Sequence, residues 1–239
     1  MFSPNGIKAI LFDLDGTLRQ YQPDGGEVFV AQARALGLPI SEDDRLRGIR
    51  WEHHYWASSI NLRLDLEKYK IEDNNFWQNY SRRHLVALGA SSKQAEELAP
   101  ILSQHMNDHY KPDGVLTADA LGVLGQLKEA GFRLGVVSNR NHPYDQELEQ
   151  MGIQSIFEFS LAAGEVQFYK PHPGIFEAAL KRMEIPAEAA MYVGDNYFAD
   201  VVGARRAGLL PVLYDPKGIY PQAGCAVIAS FGELSNQLK

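Results

Sequence analysis

Cysteine is nearly absent: Cys225 is the one thiol in 239 residues. A single thiol excludes an intrachain disulfide framework and gives no sign of an oxidising compartment. Set in an apolar stretch, Cys225 reads as core filler. Positive charge is not in excess either, since the formal net charge is −7. That balance argues against a general nucleic-acid binder, whose footprint would be basic. It leaves room for a local cationic site on an acidic protein, and so for a phosphorylated small molecule. No apolar run approaches the roughly 20 residues of a membrane span, and no basic-then-apolar leader pattern opens the chain. The expectation is therefore a cytoplasmic protein with no membrane partner. Internal repeats and low-complexity tracts are missing as well, and nothing in the pattern specifies an oligomeric state. What is present is ordinary globular material, 45% apolar and 22% charged, long enough to bury a full core in one or two domains.

The stretch from Ile7 to Leu18, Ile-Lys-Ala-Ile-Leu-Phe-Asp-Leu-Asp-Gly-Thr-Leu, opens as an apolar, partly β-branched run. Such composition marks a strand buried on both faces. It ends in two carboxylates, Asp13 and Asp15, followed by Gly16. Taken alone, this is equally a polar exit turn, because Asp and Gly are common turn formers. In open α/β sheets, however, the carboxyl edge of a buried strand is where ligands bind.

After Thr17 the strand character stops, and residues 20–26 read as a loop. From Glu27 to about Tyr110 the pattern is helical. One helix ends at Gly37 and Pro39, and a second is capped by Ser41. Others run over about 74–88 and from Ser91 to about Tyr110, the last expected to kink or divide at Pro100. Beyond Lys111-Pro112-Asp113-Gly114, helical and strand segments alternate. The strands are expected over 132–137, 157–162, 190–193, 210–214 and 226–229. The helices are expected over 117–130, 143–151, 173–183 and 198–207, with one more at the end. Alternation of this kind implies a parallel sheet with helices on both faces. Residues 1–20 and 111–239 then form an α/β core, and residues 21–110 an inserted all-helical cap, with a cleft expected between them.

Polar residues leave the carboxyl end of each core strand. The first strand delivers Asp13 and Asp15, the second Ser138 and Asn139, and the fourth Asp195 and Asn196, with Asp200 five residues beyond Asp195. Lys170 follows the third, in Tyr-Lys-Pro-His-Pro. Asp200 taken alone could be a dipole-compensating acid in a first helical turn. All these groups would converge on one sheet edge. Four carboxylates there repel one another, one lysine offsets a single charge, and a divalent cation offsets two more. Mg2+ suits such an oxygen-rich set.

Asp13-Leu14-Asp15-Gly16-Thr17, Ser138, Lys170-Pro171, and Gly194-Asp195 with Asp200 occur in the order of the four motifs of the haloacid dehalogenase-like superfamily. The whole chain resembles its phosphatase branch with a helical cap inserted after the first strand, on a Rossmann-like core. Gln167 departs from the pattern, standing where related chains often carry glycine.

The resemblance implies an enzyme that hydrolyses a small-molecule phosphate ester. Asp13 is the nucleophile that forms an aspartyl-phosphate, and Asp15 is the general acid and base. Ser138, the Asn139 amide and Lys170 hold the phosphoryl oxygens. The implied Mg2+ ligands are carboxylate oxygens of Asp13 and Asp195 and the Asp15 carbonyl, with Thr17, Asn196 and Asp200 supporting them. To act first as an acid Asp15 must hold a proton, which negative surroundings would favour. Asp15 also favours phosphate esters over a halide, whose departure needs no acid. Two alternatives stay open: a sugar phosphomutase of the same superfamily, and a non-catalytic phosphate-binding module. The stretch Arg45-Leu46-Arg47-Gly48-Ile49-Arg50 resembles the mutase cap faintly, and reads equally as a solvated arginine-rich helix face. Trp51 to Trp56 reads mainly as cap core. His53 and His54, adjacent on a helix, point in different directions and do not form a metal pair.

Overall fold

A computed structural model of the chain describes residues 6–237. Its strands are β1 (Ala9–Phe12), β2 (Arg19–Gln22), β3 (Asp113–Leu116), β4 (Arg133–Ser138), β5 (Phe159–Ala162), β6 (Ala190–Gly194), β7 (Leu210–Tyr214) and β8 (Ala226–Ile228). Six of these form one parallel sheet in the order β5-β4-β1-β6-β7-β8. β1 therefore lies in the interior, with β4 on one side and β6 on the other. The strand order reverses direction about β1, so this is the switch point at which such sheets bind ligands.

The apolar run of β1 is buried throughout because helices cover both faces of the sheet. Ile10 and Phe12 pack with Leu124 and Leu127 of α6 (Ala120–Glu129) and with Phe231 of α11 (Phe231–Gln237). Ala9 and Leu11 point the other way, into a layer with Phe176, Ala179 and Met183 of α9 (Pro173–Met183). Three shorter helices, α7 (Asp145–Gln150), α8 (Ala163–Val166) and α10 (Val202–Arg206), complete the α/β unit. This is the expected α/β class.

The chain divides into two compact units. One runs up to Gln20 and resumes at Val115; the other is Tyr21–Gly114. The second unit holds α1 (Gly25–Ala35), α2 (Glu42–Trp56), α3 (Ile60–Lys68), α4 (Asn74–Ala87) and α5 (Ser92–His109). Ser41 and Ser91 close capping boxes on α2 and α5, each satisfying orphan N–H groups at a helix start. Phe29, Leu85, Ala95 and Leu102 form one core cluster, and Tyr55, Phe76 and Tyr80 another, flanked by Trp51 and Trp56. In the arginine-rich stretch, Arg45 binds Glu42 and Glu27, and Arg47 donates to the Ala87 carbonyl at 2.7 Å. Those two arginines are engaged in holding the helical unit together. Among the described residues no helix is long and apolar enough to cross a membrane.

Three local expectations need correction. Residues 20–26 are not all loop: β2 starts at Arg19 and pairs with β3 as a separate two-stranded ribbon. The ribbon is short and half-exposed, and Arg-Gln-Tyr-Gln and Asp-Gly-Val-Leu show no apolar alternation. Pro100 does not divide α5, which runs as one helix of 18 residues with the proline inside. The expected helix over 198–207 is instead a π-helical turn, Tyr197–Val201, leading into α10.

Phe12 is fully buried, edge-on to Phe157 and stacked on Phe231. Phe12→Ala should lower unfolding stability in urea by about 3–5 kcal/mol. A loss below about 1 kcal/mol would contradict the packing described.

Candidate active site

The register of the sheet brings the strand-end residues together. Phe12 lies opposite Val136 of β4 and Val193 of β6, so Asp13, Ser138 and Asp195 leave neighbouring strands at one edge. The Asp13 amide donates to the Val193 carbonyl at 2.9 Å, extending the ladder by one bond. At the centre is Lys170, 2% exposed. Its Nζ donates to Asp13 Oδ1 at 2.6 Å, to Asp200 Oδ1 at 2.7 Å and to the Tyr192 hydroxyl at 2.9 Å. The Tyr192 hydroxyl in turn donates to the Val137 carbonyl at 2.9 Å.

Asn139 fixes the lysine through its backbone. Its Oδ1 accepts from the Lys170 amide at 2.6 Å, and its Nδ2 donates to the Lys170 carbonyl at 3.0 Å. Ser138 is buried at the last position of β4, and its hydroxyl has no hydrogen-bond partner among the described residues.

Asp195 is held by Thr17, whose hydroxyl accepts from the Asp195 amide at 2.9 Å and donates to Asp195 Oδ1 at 3.0 Å. Gly16, at φ +92, makes this approach possible, because a Cβ there would run into the Asp195 carboxylate. Asp200 uses both oxygens: Oδ1 takes Lys170, and Oδ2 accepts from the Asn196 amide at 2.9 Å. Asn196 Oδ1 accepts from the amides of Phe198 and Ala199, each at 3.0 Å, and so starts the turn that carries Asp200. Ion pairing with Lys170, rather than a helix dipole, accounts for Asp200.

Asp13, Asp195 and Asp200 each present an oxygen within 4.8 Å of the others. One ammonium against three carboxylates leaves two negative charges uncompensated. Burial pushes the Asp13 carboxyl up to about 7; Lys170 pulls against this and Asp200 adds to it. Burial, and then the Asp13 charge, push Asp195 up to about 7 as well. Asp200 is also raised, first by burial. Burial alone would lower the Lys170 ammonium, but Asp13 and Asp200 hold it well above the ordinary lysine range. These shifts come first from burial and then from the mutual repulsion of the carboxylates, and a divalent cation would oppose both. Hard carboxylate oxygens at this spacing fit a cation such as Mg2+.

Asp15 has different surroundings. Arg19 Nε donates to its Oδ1 and Arg140 Nε to its Oδ2, both at 2.8 Å. Negative surroundings were expected there, and two guanidiniums contact the carboxylate instead. Arg19, Arg140, Tyr192 and the Asn139 side chain were missed as site residues. The position of Arg140, directly after Asn139 at a strand exit, was a usable signal. Tyr192 lies inside β6 and reads as core.

A family model, haloacid dehalogenase-like hydrolase, matches residues 7–208, and the chain belongs to that family. It is 28% identical over 205 residues to the human haloacid dehalogenase-like hydrolase domain-containing protein 3, covering 85% of this chain and 80% of that one. It is 29% identical over 214 residues to a glyceraldehyde 3-phosphate phosphatase of Methanopyrus kandleri, covering 86% and 83%. Among solved structures it is similar to a 2-haloacid dehalogenase from Pseudomonas syringae pv. Tomato, with a TM-score of 0.56, 27% identity, and coverage of 97% and 98%.

Without metal, native Asp13 and Asp195 keep protons that unfolded carboxylates release near 3.8. Their contribution to stability is full below that value and is lost as pH rises toward about 7. Melting of EDTA-treated protein should show this against Asp195→Asn. The wild-type minus variant difference in Tm should fall between about pH 4 and 7, and a flat or rising difference would contradict it.

Proposed function

We propose that this protein is a Mg2+-dependent phosphatase of a small phosphomonoester, acting through an aspartyl-phosphate on Asp13. The observation that carries the reading is the buried Lys170 held between Asp13 and Asp200, beside Asp195. This arrangement pairs a nucleophilic carboxylate with a cation and retains the surplus negative charge that a metal would neutralise. The glyceraldehyde 3-phosphate phosphatase relative supports sugar phosphates as the first class to test. The dehalogenase relative represents the competing chemistry. Asp15 favours phosphate esters over it, because an alkoxide needs a proton to leave and a halide does not.

In the proposed reaction, an Asp13 oxygen attacks phosphorus and the bond from phosphorus to the ester oxygen breaks. The departing oxygen takes a proton from Asp15. Water then attacks phosphorus and gives its proton to Asp15. The bond to Asp13 breaks, releasing phosphate and restoring both acids. Lys170 fixes the Asp13 carboxylate, while Ser138 and the Asn139 amide receive phosphoryl oxygens. Asp13, Asp195 and the Asp15 carbonyl would hold Mg2+, which when bound offsets the charge shared by the carboxylates and the phosphoryl group. Thr17 orients Asp195, Asn196 carries the turn, and Asp200 orients Lys170. Choice of the alcohol is assigned to the helical unit Tyr21–Gly114, as a cap.

Release of phosphate from p-nitrophenyl phosphate tests this reading. Asp13→Asn should lower it at least about 1,000-fold, and EDTA should abolish activity that Mg2+ restores. Full activity in Asp13→Asn, or activity indifferent to EDTA, would refute the proposal.

A further inference from the structure

The carboxylate of Asp15 is one corner of a closed ring of four charged side chains within the α/β unit. Arg19 donates to Asp15 Oδ1 through Nε at 2.8 Å and also through Nη2. Arg140 donates to Oδ2 through Nε at 2.8 Å and to Oδ1 through Nη2 at 3.3 Å. Glu147, the third residue of α7, closes the ring by accepting Arg19 Nη1 at Oε2 and Arg140 Nη1 at Oε1. Two guanidiniums side by side repel each other, and Glu147 offsets that repulsion at the end away from Asp15. Charge-assisted, forked contacts of this type fix direction as well as distance.

The frame is itself anchored. The Arg19 amide donates to the Leu14 carbonyl, and the Arg19 carbonyl accepts from the Gly16 amide, both at 2.8 Å. The Arg140 guanidinium stands 5.7 Å over the ring of Tyr144. That buried tyrosine shares its one O–H between the carbonyls of Val136 and Leu161, on adjacent strands. Asp15 sits on an exit turn with its side chain about one-third exposed, and Arg19 is 10% exposed. A carboxylate on such a turn has free rotamers; this one is held at both oxygens by groups tied to the sheet.

We infer that Arg19, Arg140 and Glu147 are positioning residues: they hold the Asp15 side chain in place for its exchange of a proton with the leaving and attacking oxygens and do not bind the substrate. The inference rests on the reading of Asp15 as the proton carrier. Misplacement of a catalytic group by an ångström costs about 100-fold in rate. The three residues therefore govern the proton-transfer step, with Glu147 acting through two intermediaries.

The test compares kcat/KM for two esters with Mg2+ present. That ratio reports the steps up to departure of the alcohol. Propyl phosphate releases an alkoxide that needs a proton, and p-nitrophenyl phosphate releases a phenolate that hardly does. Arg140→Met should lower kcat/KM for propyl phosphate by about 10- to 100-fold, and for p-nitrophenyl phosphate by less than about threefold. Arg140→Lys should recover part of the loss. Glu147→Gln, which keeps side-chain volume, should show the same split to a smaller degree. Equal losses on both esters in these variants, or no loss on propyl phosphate, would overturn the inference. Thermal melts identify a misfolded Arg140→Met, in which case Arg140→Lys and Glu147→Gln decide. Asp15→Asn separates the two levels. If it shows the split and the frame variants do not, the frame fails alone. If Asp15→Asn itself shows no split, the proton-carrier reading fails.

Discussion

The site depends on one buried ammonium. Lys170 meets Asp13 beyond β1, Asp200 in the turn beyond β6, and the hydroxyl of Tyr192 within β6, while Asn139 beyond β4 grips its backbone. Three adjacent strands are thus tied to one lysine. Removing a single partner from a buried ion pair costs about 3–5 kcal/mol, because the remaining charge is left uncompensated. The geometry of the strand ends and the electrostatics of the site are therefore one constraint. The lysine neutralises part of the acidic cluster, and what it leaves over is the charge of a divalent cation.

The four aspartates occupy four different environments. Asp200 has both oxygens committed within the protein, which suits it to orient Lys170. Asp195 is gripped by Thr17 against a glycine that alone leaves space for it. Asp13 shares one oxygen with the lysine. Asp15, two residues away, faces guanidiniums. Separation of carboxylates into unlike surroundings would let one cluster support both of the proposed roles, nucleophilic attack and proton transfer.

Much of this was legible in the chain because strand exits are local features. An apolar run ending in Asp-x-Asp-Gly-Thr places its acids without knowledge of the rest of the fold, and alternation of elements supplies the sheet that gathers the exits. Asn139 was assigned only through its amide, since nothing local indicates that its side chain reaches across 31 residues to Lys170. The ring of Arg19, Arg140, Glu147 and Asp15 was not legible, because it joins an exit turn, a second strand exit and the start of α7. Its members are unremarkable charges until the sheet order is known. The β2–β3 ribbon was hidden for a different reason: its strands have four residues each and carry too few apolar side chains to leave a periodic trace.

Covalent chemistry at Asp13 underlies the proposed reaction. The direct measurement is mass spectrometry of acid-quenched enzyme after borohydride reduction, which converts a phosphorylated aspartate into homoserine. Enzyme quenched during turnover should carry homoserine at position 13 and retain aspartate at 15, 195 and 200. Homoserine at another of these positions, or at none of them during demonstrated turnover, would contradict the account.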